Sequence, residues 1–218
     1  LAPLERLPLV VLLNGPPYAG KDTAAKIVAR GWTSGADLVR VSDALKRIAH
    51  TLYGLPPDTP CEAFNHCKDE PRPEFGGKTP RSVYIWVSEV MVKPLLGEDW
   101  FGKVAAMKVR RAGGGAARIV SVPDSGFALE GLAMRDDLGA HNMLLLRIHA
   151  EARGCTFAGD SRSYIDVPGV HTADLYNDIQ GDTRVFEMEV RREVISALGR
   201  QAAAWARLPP APQGRTGD

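Results

Sequence analysis

Apolar residues in this chain come in short blocks separated by polar, helix-spaced stretches. Leu9-Val-Val-Leu-Leu13 is a continuous apolar run, the pattern of a parallel strand covered on both faces. Residues 143–148 repeat it, and residues 118–122 and 38–42 give shorter versions rich in β-branched side chains. Helical spacing predicts helices over 22–30, 44–53 (stopped by Gly54), 81–92 (opened by Pro80, stopped near Pro94), 101–111, 129–138 and 183–205. Gly113-Gly-Gly115 reads as a turn, and residues 175–177 as a last short strand. Strands alternating with helices predict an α/β three-layer sandwich around a mostly parallel sheet.

Three stretches break the pattern. Residues 55–80 are rich in proline and hold Cys61, Cys67 and Gly76-Gly77, which predicts a long irregular insertion of the kind that carries function. Residues 151–174, rich in Gly, Ser and Asp, read as a mobile polar segment, and residues 208–218 as a flexible tail. The 218 residues therefore read as a single domain over 1–207 plus that tail. With 27 basic and 26 acidic side chains, no global basic field exists to hold nucleic acid, although a local basic face remains open. No apolar run reaches the roughly 18 residues of a membrane span. The early apolar run reads as a buried strand and not a leader, because a glycine-rich loop follows at once. Three cysteines cannot all pair within the chain, and a reducing cytoplasm is the expected compartment.

That loop is the strongest chemical signal. Gly15-Pro-Pro-Tyr-Ala19-Gly20-Lys21-Asp22-Thr23 stands between a strand and a helix, the G-x-x-x-x-G-K context of a phosphate loop. Its glycines let backbone N–H groups wrap a polyphosphate, and the helix start adds positive potential. Lys21 is expected to reach the β- and γ-phosphates of ATP. Asp22 stands where Ser or Thr ordinarily meets Mg²⁺, and the hydroxyl follows at Thr23. Both are candidate metal-side residues.

Two aspartates are expected beyond the carboxyl ends of strands, where sites of α/β folds assemble. Asp43 is a candidate general base and equally a helix N-cap, and one residue can do both. Asp124 is a candidate for holding Mg²⁺ through water, against a plain turn role in Asp124-Ser-Gly126. Arg81 opens a helix after the insertion; Arg153 and Arg162 fall in the mobile segment, where a lid needs cations. Cys61, His66 and Cys67 do not make a zinc site without a second ligand pair. Of Tyr84, Trp86, Trp100 and Phe101, any one can stack a base, but such aromatics more often fill a core.

Taken in order, Gly15 to Thr23, VSDALKRIAHTLYGL, TPRSVYIWVSEVMVKPLLGEDWFGK and IVSVPDSGFALE resemble the bacteriophage deoxynucleoside monophosphate kinases. The resemblance continues weakly into DSRSYID and DLYND, spanning about residues 9–195. It implies a P-loop nucleoside-kinase-like fold, ATP with Mg²⁺, a lid over 151–174, Arg81 on the acceptor side and Asn177 near the adenine. The family carries an Asp-x-Arg motif where this chain has Asp124-Ser125-Gly126, without the arginine. That departure, with YIWVSE, looks closer to the phage P-loop kinases that phosphorylate 5-hydroxymethyluracil within DNA. An alcohol acceptor gives a base such as Asp43 work to do, and a base in duplex must be flipped out or presented single-stranded.

The expected activity is thus Mg-ATP-dependent phosphoryl transfer to a pyrimidine deoxynucleotide, favouring 5-hydroxymethyluracil in phage DNA. A deoxynucleoside monophosphate kinase acting on free dNMP is the first alternative, and an NTP-binding regulatory module without an acceptor the second. If phage-encoded, the protein is expected in the cytoplasm of an infected bacterial host, with no membrane partner.

Overall fold

The computed structural model describes residues 7–32, 35–114, 118–159, 162–178 and 183–207. The expected tail 208–218 and Gly115 of the expected turn lie outside the described residues. Five strands, β1 (Leu9–Asn14), β2 (Ala36–Leu38), β3 (Ile119–Val122), β4 (Met143–His149) and β5 (His171–Tyr176), form one sheet in the order β2-β3-β1-β4-β5. Every pairing is parallel. The continuous apolar runs have the reason expected of them, since each face of the sheet is covered. Leu9, Val11 and Leu13 enter one core cluster with residues of α1 (Lys21–Gly31) and α7 (Arg184–Ala206). Val10 and Leu12 enter the other, with residues of α2 (Ser42–Leu52), α3 (Pro80–Trp86), α5 (Trp100–Gly114) and α6 (Ala128–Leu138). Burying one such leucine contributes about 1.5–3 kcal/mol, so the alternation fixes which way each strand faces. The architecture is the expected α/β one.

Several boundaries differ from expectation, each for a local reason. The strand expected over 38–42 lies at Ala36–Leu38, and Val39 N–H adds one more bond to Ser121 O at 2.9 Å. Two residues on, Val41 N–H and Ser42 N–H turn to the Asp124 carboxylate at 2.9 Å each, so α2 begins at Ser42 and not at Ala44. Gly113, expected in a turn, is helical in α5, where a Cβ would stand 2.6 Å from Pro8 Cδ. The helix expected to stop near Pro94 passes it: α3 leads into a π-helical turn (Val87–Val92) and then α4 (Lys93–Leu96), whose first turn accommodates the proline. The insertion 55–80 is irregular as expected, yet anchored. Phe75 is fully buried and packs edge-on against Phe64, Tyr53 and Tyr84.

The segment 151–174 is divided. Residues 171–174 belong to β5, which the sequence placed at 175–177, and Ile165, Val167 and Val170 are core. Among its described residues, 151–159 form a mainly exposed flap.

Candidate active site

Because all five strands are parallel, their carboxyl ends share one side of the molecule, and the order reverses around β1. The loop after β1 therefore opens where the loops after β3 and β4 part. Gly15 passes so close to β4 that a Cβ would meet Ile148 O at 2.5 Å. Gly20 opens α1 at φ 111°, a left-handed conformation that suits glycine, and a Cβ there would strike the Asn177 side chain. Lys21 Nζ donates to Gly15 O at 2.6 Å and Pro16 O at 2.5 Å, holding the loop in a closed arc. Ala19 is fully buried beneath that arc. Asn177 Nδ2 donates to Ala19 O at 2.8 Å, and its own N–H to His149 O at 2.8 Å, so the end of β5 is clamped to the loop. Arg153 Nη1 donates to Asn177 O at 3.2 Å. Between this flap and the loop lies a cleft of about 500 Å³ lined by Pro17, Tyr18, Arg153, Cys155, Thr156 and Ala158.

Asp22 is exposed at the start of α1 and pairs with Arg40 at 3.3 Å. Thr23 is half-buried one residue on. Asp43 and Asp124 are brought together, with distinct jobs. Asp124, after β3, accepts Val41 N–H and Ser42 N–H and so caps α2; Asp43, in the first helical turn, makes no cap bond. The N-cap role weighed for Asp43 therefore belongs to Asp124. Burial pushes the Asp43 carboxyl above its ordinary value, Lys108 opposes the rise, and the Asp124 charge adds to it. A partly desolvated carboxylate with a raised pKa is a better proton acceptor than a free one. Replacing Asp124 by Ala is expected to cost about 1–2 kcal/mol in urea unfolding, the scale of a lost helix cap. An unchanged midpoint would remove the capping role.

On the same side, the insertion and helices gather cations. Arg81 grips Asp69 through two contacts, Nε to Oδ1 and Nη2 to Oδ2 (3.1 Å), and its N–H donates to Lys68 O at 2.9 Å. The Arg81 hydrogen bond holds the Asp69 carboxyl below the usual range. Lys46 is buried and donates to the neutral Asn65 Oδ1 at 3.0 Å. Burial first, then the charges of Arg81, Arg162 and Lys46, depress the Lys68 ammonium. Among the aromatics, Phe101 is core, and the Tyr84 hydroxyl lies 3.0 Å from His50 Nε2. Trp86 is 46% exposed and remains available for stacking.

No protein-family model matches the chain, and no curated protein does. Among solved structures, a gluconokinase from Sinorhizobium meliloti 1021 is similar over 92% of this chain and 97% of its own, at 13% identity and a TM-score of 0.42. The functional reading therefore rests on the site.

Besides Lys46, Lys68 and Asp69, the site includes Asn14, Glu130 and Lys108, which were not singled out from the sequence. Asn14, fully buried at the end of β1, donates from Nδ2 to Ser125 O (2.8 Å) and Ser163 O (3.1 Å), and its Oδ1 accepts Ile165 N–H (3.1 Å). A polar residue closing an otherwise apolar strand was the available signal. Glu130, on α6, is 5% exposed, and burial pushes its carboxyl up to about 8, helped by the Asp124 charge. Lys108, on α5, faces Asp43 and donates to Arg40 O at 3.5 Å. Nothing in the local sequence marks Glu130 or Lys108, since both sit in ordinary helical spacing.

Proposed function

We propose that this protein is an Mg-ATP-dependent kinase that transfers the γ-phosphoryl group to a pyrimidine deoxynucleotide, the favoured acceptor being the hydroxymethyl group of 5-hydroxymethyluracil in DNA. The observation that carries the kinase reading is the loop itself. A glycine-opened helix follows a buried strand, with Lys21 folded onto the loop carbonyls and a cleft beside it. These parts fit a triphosphate: the N–H groups at the start of α1 and the Lys21 ammonium bind phosphate oxygens, and Arg153, which donates to Asn177 O, lines the cleft that takes the rest of ATP. Mg²⁺, when bound, would neutralise charge on the β- and γ-phosphates. Thr23, Asp22 and Asp124 are the residues that would hold it. Residues 151–159 act as the lid.

Asp43 favours an alcohol acceptor, because a hydroxyl must lose its proton as it attacks and a phosphate need not. Its carboxylate takes that proton while Lys21 stabilises the charge of the transferring group. The second reading, a free deoxynucleoside monophosphate, is favoured by the cations Lys46, Lys68 and Arg81 around the same spot. The experiment is transfer of label from γ-³²P-ATP to 5-hydroxymethyluracil DNA, thymine DNA and a panel of free deoxynucleoside monophosphates. Label in the first alone supports the DNA acceptor, and label in a diphosphate replaces it with the second reading. Label in none of them removes the kinase reading.

Asp43→Asn tests the base. Transfer is expected to fall about 10²-fold or more, the scale of general-base catalysis. In the parent protein the acidic limb of the pH–rate profile should lie above the ordinary carboxylate range, since the base form is lost as pH falls through a raised pKa. An unchanged rate at saturating acceptor would rule Asp43 out.

A further inference from the structure

Arg162 lies over the turn that follows β3. A Cβ built on Gly126 would collide with Arg162 Cδ, stand 2.8 Å from its Cγ and 3.4 Å from its Cβ. The stem of Arg162 therefore fills the volume that any side chain at 126 would need. The backbone just after it is held as well. Asn14, at the end of the central strand, binds Ser125 O on one side and Ser163 O and Ile165 N–H on the other, without solvent exposure. A satisfied, fully buried amide of this kind rigidifies what it joins. Arg162 thus differs from Arg153, which stands on the exposed flap beside the cleft. Its charge reaches Glu130 on α6 and Lys68 in the insertion, both on the side of the sheet away from α1 and α7.

We infer that Arg162, seated over Gly126 by the Asn14 bridge, is a fixed cation of the acceptor side that binds an anionic group of the acceptor. The inference rests on the kinase reading and deepens it, by assigning the guanidinium to the acceptor and not to ATP. The charges of Lys46, Arg81 and Arg162 all act on Lys68, so four cations share this region, with Asp69 held beside Arg81. A planar guanidinium suits phosphate or carboxylate oxygens, and neighbouring cations add to the attraction for an anion. In DNA the anion is the phosphate beside the reacting nucleotide; in a free monophosphate it is the phosphate that accepts.

The seating and the charge are tested separately. For the seating, melting temperatures are compared for Gly126→Ala, Arg162→Ala and the double variant. Gly126→Ala should lower Tm by several degrees, given about 2–4 °C per kcal/mol at this size, and the double variant should melt with Arg162→Ala alone. Strict additivity would overturn the seating. For the charge, Arg162→Ala should raise the acceptor KM about tenfold or more while leaving the ATP KM unchanged. Arg162→Lys should recover only part of that loss, and Gly126→Arg combined with Arg162→Ala should recover more. An acceptor KM equal to that of the parent, or a change confined to ATP, overturns the inference while the kinase reading stands. If no acceptor is labelled at all, inorganic phosphate is titrated against Lys21→Ala and Lys21→Ala/Arg162→Ala by thermal shift. Protection present in the first and lost in the second supports the anion site. Equal protection, or none in either, overturns it.

Discussion

Lys21→Ala is expected to abolish acceptor-dependent phosphoryl transfer, by about 10³-fold or more, on the scale of removing a cation from a transferring phosphoryl group. The position makes the result interpretable. Lys21 is the first residue of α1, half-exposed, and its ammonium bonds the loop carbonyls Gly15 O and Pro16 O. Alanine is the best helix former, so α1 itself should keep its stability. Lys21 is partly exposed, so water can replace the ammonium on the two carbonyls. A melting curve close to that of the parent, alongside lost transfer, is the expected pair of outcomes. Lys21→Arg should recover little, because a planar fork does not reproduce the compact ammonium that fits between two carbonyls. More than a tenth of the parent rate remaining in Lys21→Ala would mean that the phosphate is held elsewhere, and the assignment of the loop would fall with it.

The contrast between the loop and its surroundings shows what the chain makes legible. Residues 15–23 could be read because a short local pattern dictates a local conformation: glycine where φ is positive, a lysine at a fixed offset, a strand before and a helix after. The sheet could be read for a similar reason, since apolar runs such as Leu9–Leu13 declare burial on both faces. What failed was set by contacts distant in sequence. The start of α2 moved because Asp124 reaches across 83 residues to Val41 N–H. The segment 151–174 looked uniformly mobile by composition. Yet Asn14 fixes Ser163 and Ile165 from about 150 residues away, and β5 claims residues 171–174. Asp124 was noticed as a carboxylate in the right place, but its geometry assigns its oxygens first to a helix end. Arg81 was expected on the acceptor side, and its partner Asp69 became visible only when the insertion folded.

Glu130→Gln is expected to have the largest effect on stability, and its sign follows from where the proton sits. Glu130 is 5% exposed; burial, then the Asp124 charge, hold its carboxyl up to about 8, while Lys93 and Arg162 pull it down and Glu89 pushes it up. In the unfolded chain a glutamate titrates near 4.5. Below that value both states carry the proton and Glu130 imposes no penalty. Between it and about 8 the folded state keeps a proton that the unfolded state has released, so stability falls as pH rises. Above about 8 the full penalty is present, on the order of 4–5 kcal/mol if the whole shift is expressed. Glutamine is a neutral isostere and carries no such slope. Urea unfolding from pH 5 to 9 should show the parent losing stability toward alkaline pH and Glu130→Gln staying nearly flat, with the gap widest at pH 9. Parallel curves would show that Glu130 titrates as an ordinary carboxylate. The same proton bears on turnover: an ionised Glu130 adds negative charge beside Asp124, where phosphate groups must approach. Activity should therefore decline as pH rises through about 8, opposite to the acidic limb set by Asp43, and only the alkaline limb should move in Glu130→Gln.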